Sequence, residues 1–599
     1  MTKKLIYIMS LLATLTFTGC IDEETPTQQA TSEQVSASNM ALNMLVNGLK
    51  SKMISYCNYT SDATSWYATQ DWGYGCYMLS KETMLDGFPT TGASWNYQYH
   101  YESAERLKSY TIYPYFFYYN LADHANRVLT ATEDASTDTQ LQSRGMAHAY
   151  RALAYMDLTL MFEFWPTGDA ALNAEAKNVF GLTVPIVTEN TSEEMTKNNP
   201  RAAFTTMYRF IYTDLCKARD LLKGMERKEK NDVNIDVVNG LLARYWVMLG
   251  ARFRSYPDDL AKQVAAEGAD DGYTDLGITA ANDCYANAKA AAMAVINAGY
   301  TPVTREQWHD TKTGFNTANQ AWVWDMRITS IEQYSSYWNS IMGNVASEPT
   351  WALPAYSGEY RCISSDLFNL IQEGDWRKTS WIAPEDAGAV SVPAKYSTQL
   401  KDETASTKAA NTNFSRLPAY ANLKFRPGSG SLDDEQTGMM ADIPLMRVEE
   451  MWFIAIECEL MINGTTAGLM ALEKFMNTYR MDGGATYTST ATHKQGALEE
   501  IIAQKYVELW GEGLIYNDYK RNGLPVIRNS EGSNYIEPYN TLNHTADGCA
   551  SWLNFYIPET ARSFNSALQN QMNPDPTPSK SCPADGRHTS PAAPSHLHY

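Results

Sequence analysis

Aromatic side chains are concentrated in two stretches of this sequence. One runs from Cys57 to Tyr101 and the other from Trp308 to Tyr360. Glycines and polar residues interrupt both stretches, so many of the rings are expected on loops instead of helix seams. A tryptophan or tyrosine ring combines an apolar face with a polar edge, which suits a sugar ring that needs both packing and hydrogen bonds. The sequence therefore predicts a carbohydrate-binding platform that consists of Trp66, Trp72, Trp95, Asn96 and Trp338.

The same aromatic rings could instead fill the core beneath long loops. Burial is the commoner fate of any single large apolar side chain. A platform needs only two or three of the rings to face a ligand. The sequence alone leaves both interpretations open.

Two carboxylates stand at helical spacing near the C-terminal end. Glu508 and Glu512 are four residues apart, so their Cβ atoms should lie about 5–6 Å apart on a helix. A retaining glycosidase holds its two carboxyl groups about 5–5.5 Å apart. Glycosidase carboxylates must flank a cleft, however, and acids on one packed helix usually pair with nearby bases, here Lys505, Lys520 and Arg521. We therefore predict that the protein has no catalytic residues.

The sequence shows no pattern of a metal or phosphate site. Neither an H-E-x-x-H motif nor zinc-ligand spacing occurs among the scattered histidines. The acidic run "DDGYTD" lacks the order of an EF-hand, and "RPGSGS" lacks the lysine of a phosphate-binding loop. Neither a metal nor a cofactor is predicted.

Composition indicates a large globular body with an acidic balance. Of the 599 residues 44% are hydrophobic, and the formal net charge is −20. The cysteines include no C-x-x-C pair, although Cys57 and Cys76 could pair in an oxidising compartment. Because phosphates would be repelled by this charge, nucleic acid is not expected as a partner.

The N-terminus has the features of a targeting segment. Lys3 and Lys4 precede an apolar run that is too short to span a bilayer comfortably, so residues 1–19 are predicted to be a cleaved signal peptide. The sequence "FTGC" resembles a bacterial lipobox, which predicts that Cys20 is lipidated; an ordinary signal peptide with an incidental cysteine is the alternative. Residues 20–39 are polar with an acidic start and are predicted to form a tether.

A helical scaffold must position these groups, and residues 442–525 are its most regular part. Apolar residues recur there at helical spacing, which predicts two helices joined by a glycine-containing connection. The predicted core-facing residues are Met451, Trp452, Ala455, Ile456, Cys458 and Ile462 in the first helix and Leu498, Ile501, Ile502 and Leu509 in the second. Further helices are predicted at about 113–129, 142–164, 201–222, 237–252 and 280–298.

Charged residues recur through the same region. They are Arg447, Glu450, Glu457, Arg480, Glu508, Glu512, Asp518 and Arg521. Their order resembles the C-terminal signature of the SusD/RagB family of bacterial outer-membrane nutrient-binding lipoproteins. The segment "QSRGMAHAYRALAYMDLTLMFEF" resembles a helix of this family, whereas Gln504-Lys505 and Ile515 depart from its usual residues. The chain is thus identified as a divergent member over roughly residues 40–570, and the proline-rich residues 571–599 are predicted to be a disordered tail.

The resemblance implies a mainly α fold with degenerate tetratricopeptide-like helix-pair repeats, long loops and a few short strands. The repeats would occupy about 113–300 and 442–525, and the loop or ligand regions about 57–101 and 301–440, of a single SusD-like body.

The resemblance also implies a role in nutrient uptake. A lipid-anchored protein of this family would capture a nutrient on the outer membrane, facing the cell exterior, and pass it to a SusC-like TonB-dependent transporter. An oligosaccharide bound without catalysis is the expected ligand. A peptide ligand, as on the RagB side of the family, and a structural protein-interaction scaffold are the alternatives.

Overall fold

The computed structural model describes residues 38–54, 73–92, 104–328, 340–347, 352–400, 414–431, 434–537 and 539–576. These residues are mainly helical, which confirms the predicted fold class. The longer helices are α1 (Asn39–Ile54), α2 (Tyr74–Thr83), α3 (Ala104–Ala131), α4 (Asp138–Phe162), α5 (Phe204–Leu221), α6 (Ile235–Ser255), α7 (Pro257–Ala266), α8 (Ala281–Ile296), α9 (Val448–Asn463), α10 (Thr465–Tyr479), α11 (Lys494–Leu509) and α12 (Ile515–Asn522). Shorter helices cover Ala170–Glu175, Glu193–Thr196, Arg305–Trp308, Ile341–Val345, Ala352–Ser357, Ser365–Leu370, Glu435–Met439 and Glu559–Phe564.

Side-chain caps explain where two of the long helices begin. Before α4, the Thr137 hydroxyl accepts a hydrogen bond from the Gln140 backbone at 3.3 Å, and the Gln140 side chain accepts one from the Thr137 backbone at 3.2 Å. Before α6, the Asn234 side chain accepts from the Val237 backbone at 3.2 Å. These contacts satisfy backbone donors that a helix start leaves without partners.

Consecutive helices pack side by side along most of the described chain. Helix α3 packs on α4, α4 on α5, α5 on α6, α6 on α8, α8 on α9, and α9 on both α10 and α11. Their apolar faces merge into one hydrophobic core, to which Leu153, Tyr208, Leu249, Phe453 and Tyr506 belong. This shared burial stabilises helices that would be marginal in isolation. Their tetratricopeptide-like character stays a prediction.

A two-stranded antiparallel sheet lies against this scaffold within the described residues. It pairs β1 (Trp322–Met326) with β2 (Ile443–Arg447), so that Trp322 faces Arg447 and Met326 faces Ile443. The register shifts on both sides of Trp324. Strand β2 runs directly into α9, which fixes the position of Arg447 at the start of that helix.

The prediction of two helices over residues 442–525 is wrong in its segmentation. Residues 443–447 form β2, and the helix predicted after them is divided by Gly464, which has a φ of +91°. Such a backbone conformation favours glycine and ends a helix. The second predicted helix ends at Leu509, and α12 follows a turn in which Gly511 and Gly513 also have positive φ values.

The predicted apolar stripes of these helices are largely confirmed. Met451, Cys458, Leu498, Ile501, Ile502 and Leu509 are buried. Trp452 and Ile462 are only partly buried against the core. The predicted stripe of α9 is therefore too wide, because Trp452 also borders the surface.

The region at 301–440 has a small core of its own. Tyr360, Cys362, Ile382, Tyr396 and Phe414 are buried together in it. Short helices, single bridges and turns connect these residues. A satellite core of this kind stabilises long connecting segments outside the main helical stack.

The C-terminal described residues also contact the body. The Asn573 side chain donates hydrogen bonds to the backbone oxygens of Phe162 and Phe555, both at 2.8 Å. Arg201 donates to the Gln571 backbone at 2.7 Å. The chain is thus packed against α4 several residues beyond position 570.

Candidate ligand-binding site

The residues predicted to bind carbohydrate lie outside the described residues. This holds for Trp66, Trp72, Trp95, Asn96 and Trp338, and for the predicted lipidation site Cys20. Cys57, half of the suggested disulfide, falls outside as well. All these assignments stay predictions.

Several other rings of the two aromatic stretches fill the core. Tyr74, Tyr77, Trp308, Trp322 and Trp324 are each at most 3% exposed. Tyr77 packs on Phe117 with ring centroids 4.9 Å apart, and Trp308 packs edge-on against Phe315 at 4.7 Å. For these described rings the core interpretation is the correct one.

A polar cleft lies among the described residues. It has a volume of about 360 Å³ and is bordered by the end of α1, the middle of α4, the turn around Asn231 and strand β1. Ile54 at the end of α1 and Arg327 just after strand β1 both line it.

Asp325 is the most unusual side chain of this polar cleft. It belongs to the apolar strand "WVWDM" and is 1% exposed. Among the described residues it is the one buried acid whose two carboxylate oxygens both lack a hydrogen-bond partner. The Asn231 side-chain oxygen, which also borders the cleft, is buried without a partner too. Buried polar atoms are normally satisfied, so these three acceptors call for an explanation.

The β-ladder is irregular at Asp325. The residue opposite it in the sheet is Pro444, which has no backbone N–H to donate. The register shift between Trp324 and Asp325 further disturbs the ladder. Irregular strand positions commonly re-aim a side chain next to a functional site.

Burial, helped by the nearby charge of Asp442, raises the pKa of Asp325 to about 6 against the opposing effect of Arg327, Arg227 and Lys230. Those three bases bond other groups. Arg227 donates to the Val323 backbone at 2.6 Å and to the Tyr300 hydroxyl at 2.7 Å. Near neutral pH the cleft therefore contains an ionised, unbonded carboxylate.

The other charges along the polar cleft are paired. Lys50 forms a salt bridge with Asp232, and Arg327 lies 3.5 Å from Glu229. Lys230 donates to the Trp322 backbone oxygen at 2.9 Å. The carboxylate oxygens of Asp325 and the side-chain oxygen of Asn231 therefore lack donors, while the basic side chains along the cleft already have partners.

A second concave surface has an apolar character. This Trp452 groove, with a volume of about 530 Å³, lies between α8, α9 and α10 and is lined by Met293, Trp452, Phe475 and Tyr479, with Lys289, Glu459 and Lys474 at its rim. The rings of Trp452 and Tyr479 are tilted, with centroids 6.2 Å apart. Lys289 forms a salt bridge with Glu459.

The carboxylates Glu508 and Glu512 belong to a buried ion-pair network instead of a cleft. Arg480 donates to both oxygens of Glu508, at 2.7 and 2.9 Å, and Arg447 and Arg377 donate to it at 3.2 and 3.1 Å. Burial opposes ionisation, but these arginines outweigh it and hold the pKa of Glu508 well below its usual range. Glu508 is thus held as a fully bonded anion.

Glu512 completes this Glu508 network. It accepts from Lys424 at 2.7 Å and from two nitrogens of Arg447, both at 2.9 Å. Burial lowers the pKa of Lys424 to about 8, although Glu512 opposes this shift. The predicted pairing of Glu508 and Glu512 with Lys505, Lys520 and Arg521 is wrong, because those bases face other groups.

The remaining residues that carried the family resemblance also form buried pairs. Arg521 bonds Glu457 and Asp518, and Lys505 lies 2.8 Å from Asp518. Arg244 donates to Glu450 at 2.7 Å. The signature residues therefore join packed elements through buried ion pairs. No cluster of three or more His, Cys, Asp or Glu side chains suited to a metal occurs among the described residues.

Two family models match the chain. Residues 75–244 match a family described as starch-binding and associating with the outer membrane, and residues 298–577 match the SusD family. The chain belongs to the SusD family. No curated protein matches this SusD-family chain significantly.

Solved structures show the same SusD fold. A SusD-like carbohydrate binding protein from Bacteroides vulgatus is 17% identical with a TM-score of 0.63, over 89% of this chain and 98% of that one. A SusD superfamily protein from Bacteroides thetaiotaomicron is 18% identical with a TM-score of 0.60, over 90% of this chain and 100% of that one. A SusD superfamily protein from Parabacteroides distasonis is 16% identical with a TM-score of 0.57, over 90% and 98%. The part of this SusD-family chain that the structure describes contains no helix with the length and apolar character needed to cross a membrane.

Proposed function

We propose that this protein captures an oligosaccharide at the cell surface and delivers it, chemically unchanged, to a SusC-like TonB-dependent transporter. The match to two SusD-family models carries the proposal, since one of them is described as starch-binding and associating with the outer membrane. A similar solved structure is described as a carbohydrate binding protein, which supports sugar over peptide as the ligand.

The proposed platform consists of Trp66, Trp72, Trp95 and Trp338, with Asn96 as a hydrogen-bonding partner. Their rings would stack on sugar C–H faces, and polar edges would select the hydroxyl pattern. Binding without reaction agrees with the buried state of Glu508 and Glu512, whose oxygens are all bonded.

Calorimetric titration of residues 21–599 with a panel of oligosaccharides tests the capture step. We expect one class of glycan to bind without hydrolysis, and Trp95→Ala or Trp338→Ala to weaken that binding at least tenfold, about 1.4 kcal/mol. Trp452→Ala is the matched control, because Trp452 borders a different groove. If the protein binds tryptic peptides and none of the glycans, the peptide alternative replaces the sugar proposal.

Anchoring and delivery are tested separately. Residues 1–19 would be removed as a signal peptide, Cys20 would carry the lipid, and residues 20–39 would tether the body formed by about 40–570. Labelling with a fatty-acid analogue is expected to depend on Cys20 and to survive Cys216→Ser. Affinity purification from detergent-solubilised outer membranes is expected to return a TonB-dependent barrel, and failure to recover one would contradict the delivery step.

A further inference from the structure

The three unfilled acceptors of the polar cleft point to a ligand that donates hydrogen bonds. Both oxygens of Asp325 and the side-chain oxygen of Asn231 are buried without partners, and both residues line the same cleft. Leaving such atoms unbonded costs free energy, more so for a charged group. A protein tolerates unsatisfied buried acceptors most readily at a site where a bound ligand donates the missing hydrogen bonds.

The chemical character of the cleft narrows the choice of donor. A divalent metal would need more ligands than the described residues supply, since they contain no cluster of three or more suitable side chains. An ammonium group would donate to the same acceptors, because Lys50 and Arg327 are paired with Asp232 and Glu229, so the choice of hydroxyl groups rests on the proposed function. Hydroxyl groups are neutral and donate hydrogen bonds to carboxylate and amide oxygens.

The size and position of the cleft suit one sugar residue. Its volume of about 360 Å³ falls in the range of small-molecule sites, about 300–1,000 Å³. Its walls come from packed elements, namely α1, α4 and strand β1, so the acceptors are held in place before a ligand arrives. Fixed acceptors lower the ordering cost of binding.

We propose that Asp325 and Asn231 form a sugar subsite, in which the Asp325 carboxylate accepts hydrogen bonds from two adjacent hydroxyl groups of one pyranose and Asn231 accepts from a third donor. The subsite rests on the proposed function, and it makes the polar cleft the part of the site that reads hydroxyl stereochemistry.

The test titrates residues 21–599 and their Asp325→Asn variant with maltoheptaose, xylohexaose, mannohexaose and chitohexaose. We expect Asp325→Asn to lower the affinity for the glycan that binds by about tenfold to a hundredfold, because the amide removes the charge and one acceptor. The Glu229→Gln variant is the matched control, since Glu229 borders the same cleft but is paired with Arg327. It should change affinity less than about threefold, about 0.7 kcal/mol.

Three outcomes separate this subsite from the broader proposal. A loss of glycan affinity in Asp325→Asn with an undiminished melting temperature supports the subsite. If Asp325 had only a structural role, its replacement would lower the melting temperature. Unchanged affinity in Asp325→Asn, with loss in Trp95→Ala, would overturn the subsite and leave oligosaccharide capture standing. If the unaltered protein binds none of the four glycans and none of the wider panel, both the subsite and the oligosaccharide-capture proposal are overturned.

Discussion

The Glu508 network and the polar cleft both hold carboxylates away from water, but they bond them differently. Glu508 receives donors from three arginines, and each of its oxygens is bonded. Asp325 receives none. The pKa shifts follow this difference, since the pKa of Glu508 is lowered and the pKa of Asp325 is raised to about 6. Burial alone therefore does not indicate the role of a charged side chain. Whether all of its polar atoms have hydrogen-bond partners is the more informative observation.

The Glu508 network ties together parts of the chain that are distant in sequence. Arg377 comes from the 301–440 region, Arg447 from the end of β2, and Arg480 from the end of α10. All three meet Glu508 on α11. A bonded anion at this junction favours one arrangement of these elements over others, which is a role in specifying the fold.

The largest expected effect is the loss of one arginine from the network. Arg480→Ala removes two hydrogen bonds from Glu508 and leaves a buried anion partly unbonded. The free energy of unfolding is expected to fall by about 3–5 kcal/mol. Urea denaturation followed by circular dichroism measures this change. A fall below about 1 kcal/mol would show that Arg377 and Arg447 suffice, and would weaken the contrast with Asp325.

Replacing Asp325 is expected to act in the opposite direction. Its pKa rises from 3.8 to about 6 in the fold, so the folded protein binds a proton more readily than the unfolded chain. The ionised carboxylate then lowers stability, fully above pH 6 and progressively less as pH falls toward 4. Asp325→Asn should raise the free energy of unfolding by about 1–3 kcal/mol at pH 7.5.

Urea denaturation of this variant at pH 7.5 and pH 4.0 gives the sharper form of the test. The increase in the free energy of unfolding caused by Asp325→Asn should nearly vanish at pH 4.0, because the carboxyl group is then protonated in the unaltered protein. Glu508→Gln is the counterpart, since a carboxylate with a lowered pKa stabilises the fold at neutral pH. Destabilisation by Asp325→Asn at pH 7.5 would mean that Asp325 has a stabilising structural role.

The sequence predicted the helical scaffold better than its interruptions. Helical spacing identified the faces of α9 and α11 because burial of one face imposes that spacing. The break at Gly464 was accessible in principle, since Asn463-Gly464 is a common helix end. Strand β2 was not, because its pairing with β1 joins residues more than a hundred positions apart, and such pairing leaves no local signal.

The aromatic platform stays a prediction, because its residues lie outside the described part of the chain. Aromatic clustering alone could not separate loop rings from core rings such as Trp322 and Trp324. Asp325 left one signal, a single acid within the apolar run "WVWDM". Its lack of hydrogen-bond donors, and its place in the same cleft as Asn231, depend on the tertiary structure and leave no signal in the sequence.

The smallest expected effect concerns an ion pair that is exposed, and it isolates the role of burial. Arg127 donates to Asp123 at 2.9 Å, one turn away on α3, with a geometry as good as that of the buried pairs. Both side chains are more than half exposed, so water competes with the contact. Arg127→Ala should change the free energy of unfolding by less than about 0.5 kcal/mol. A loss near that of Arg480→Ala would mean that pairing itself, and not burial, sets the scale, and the contrast between the network and the cleft would then need another cause.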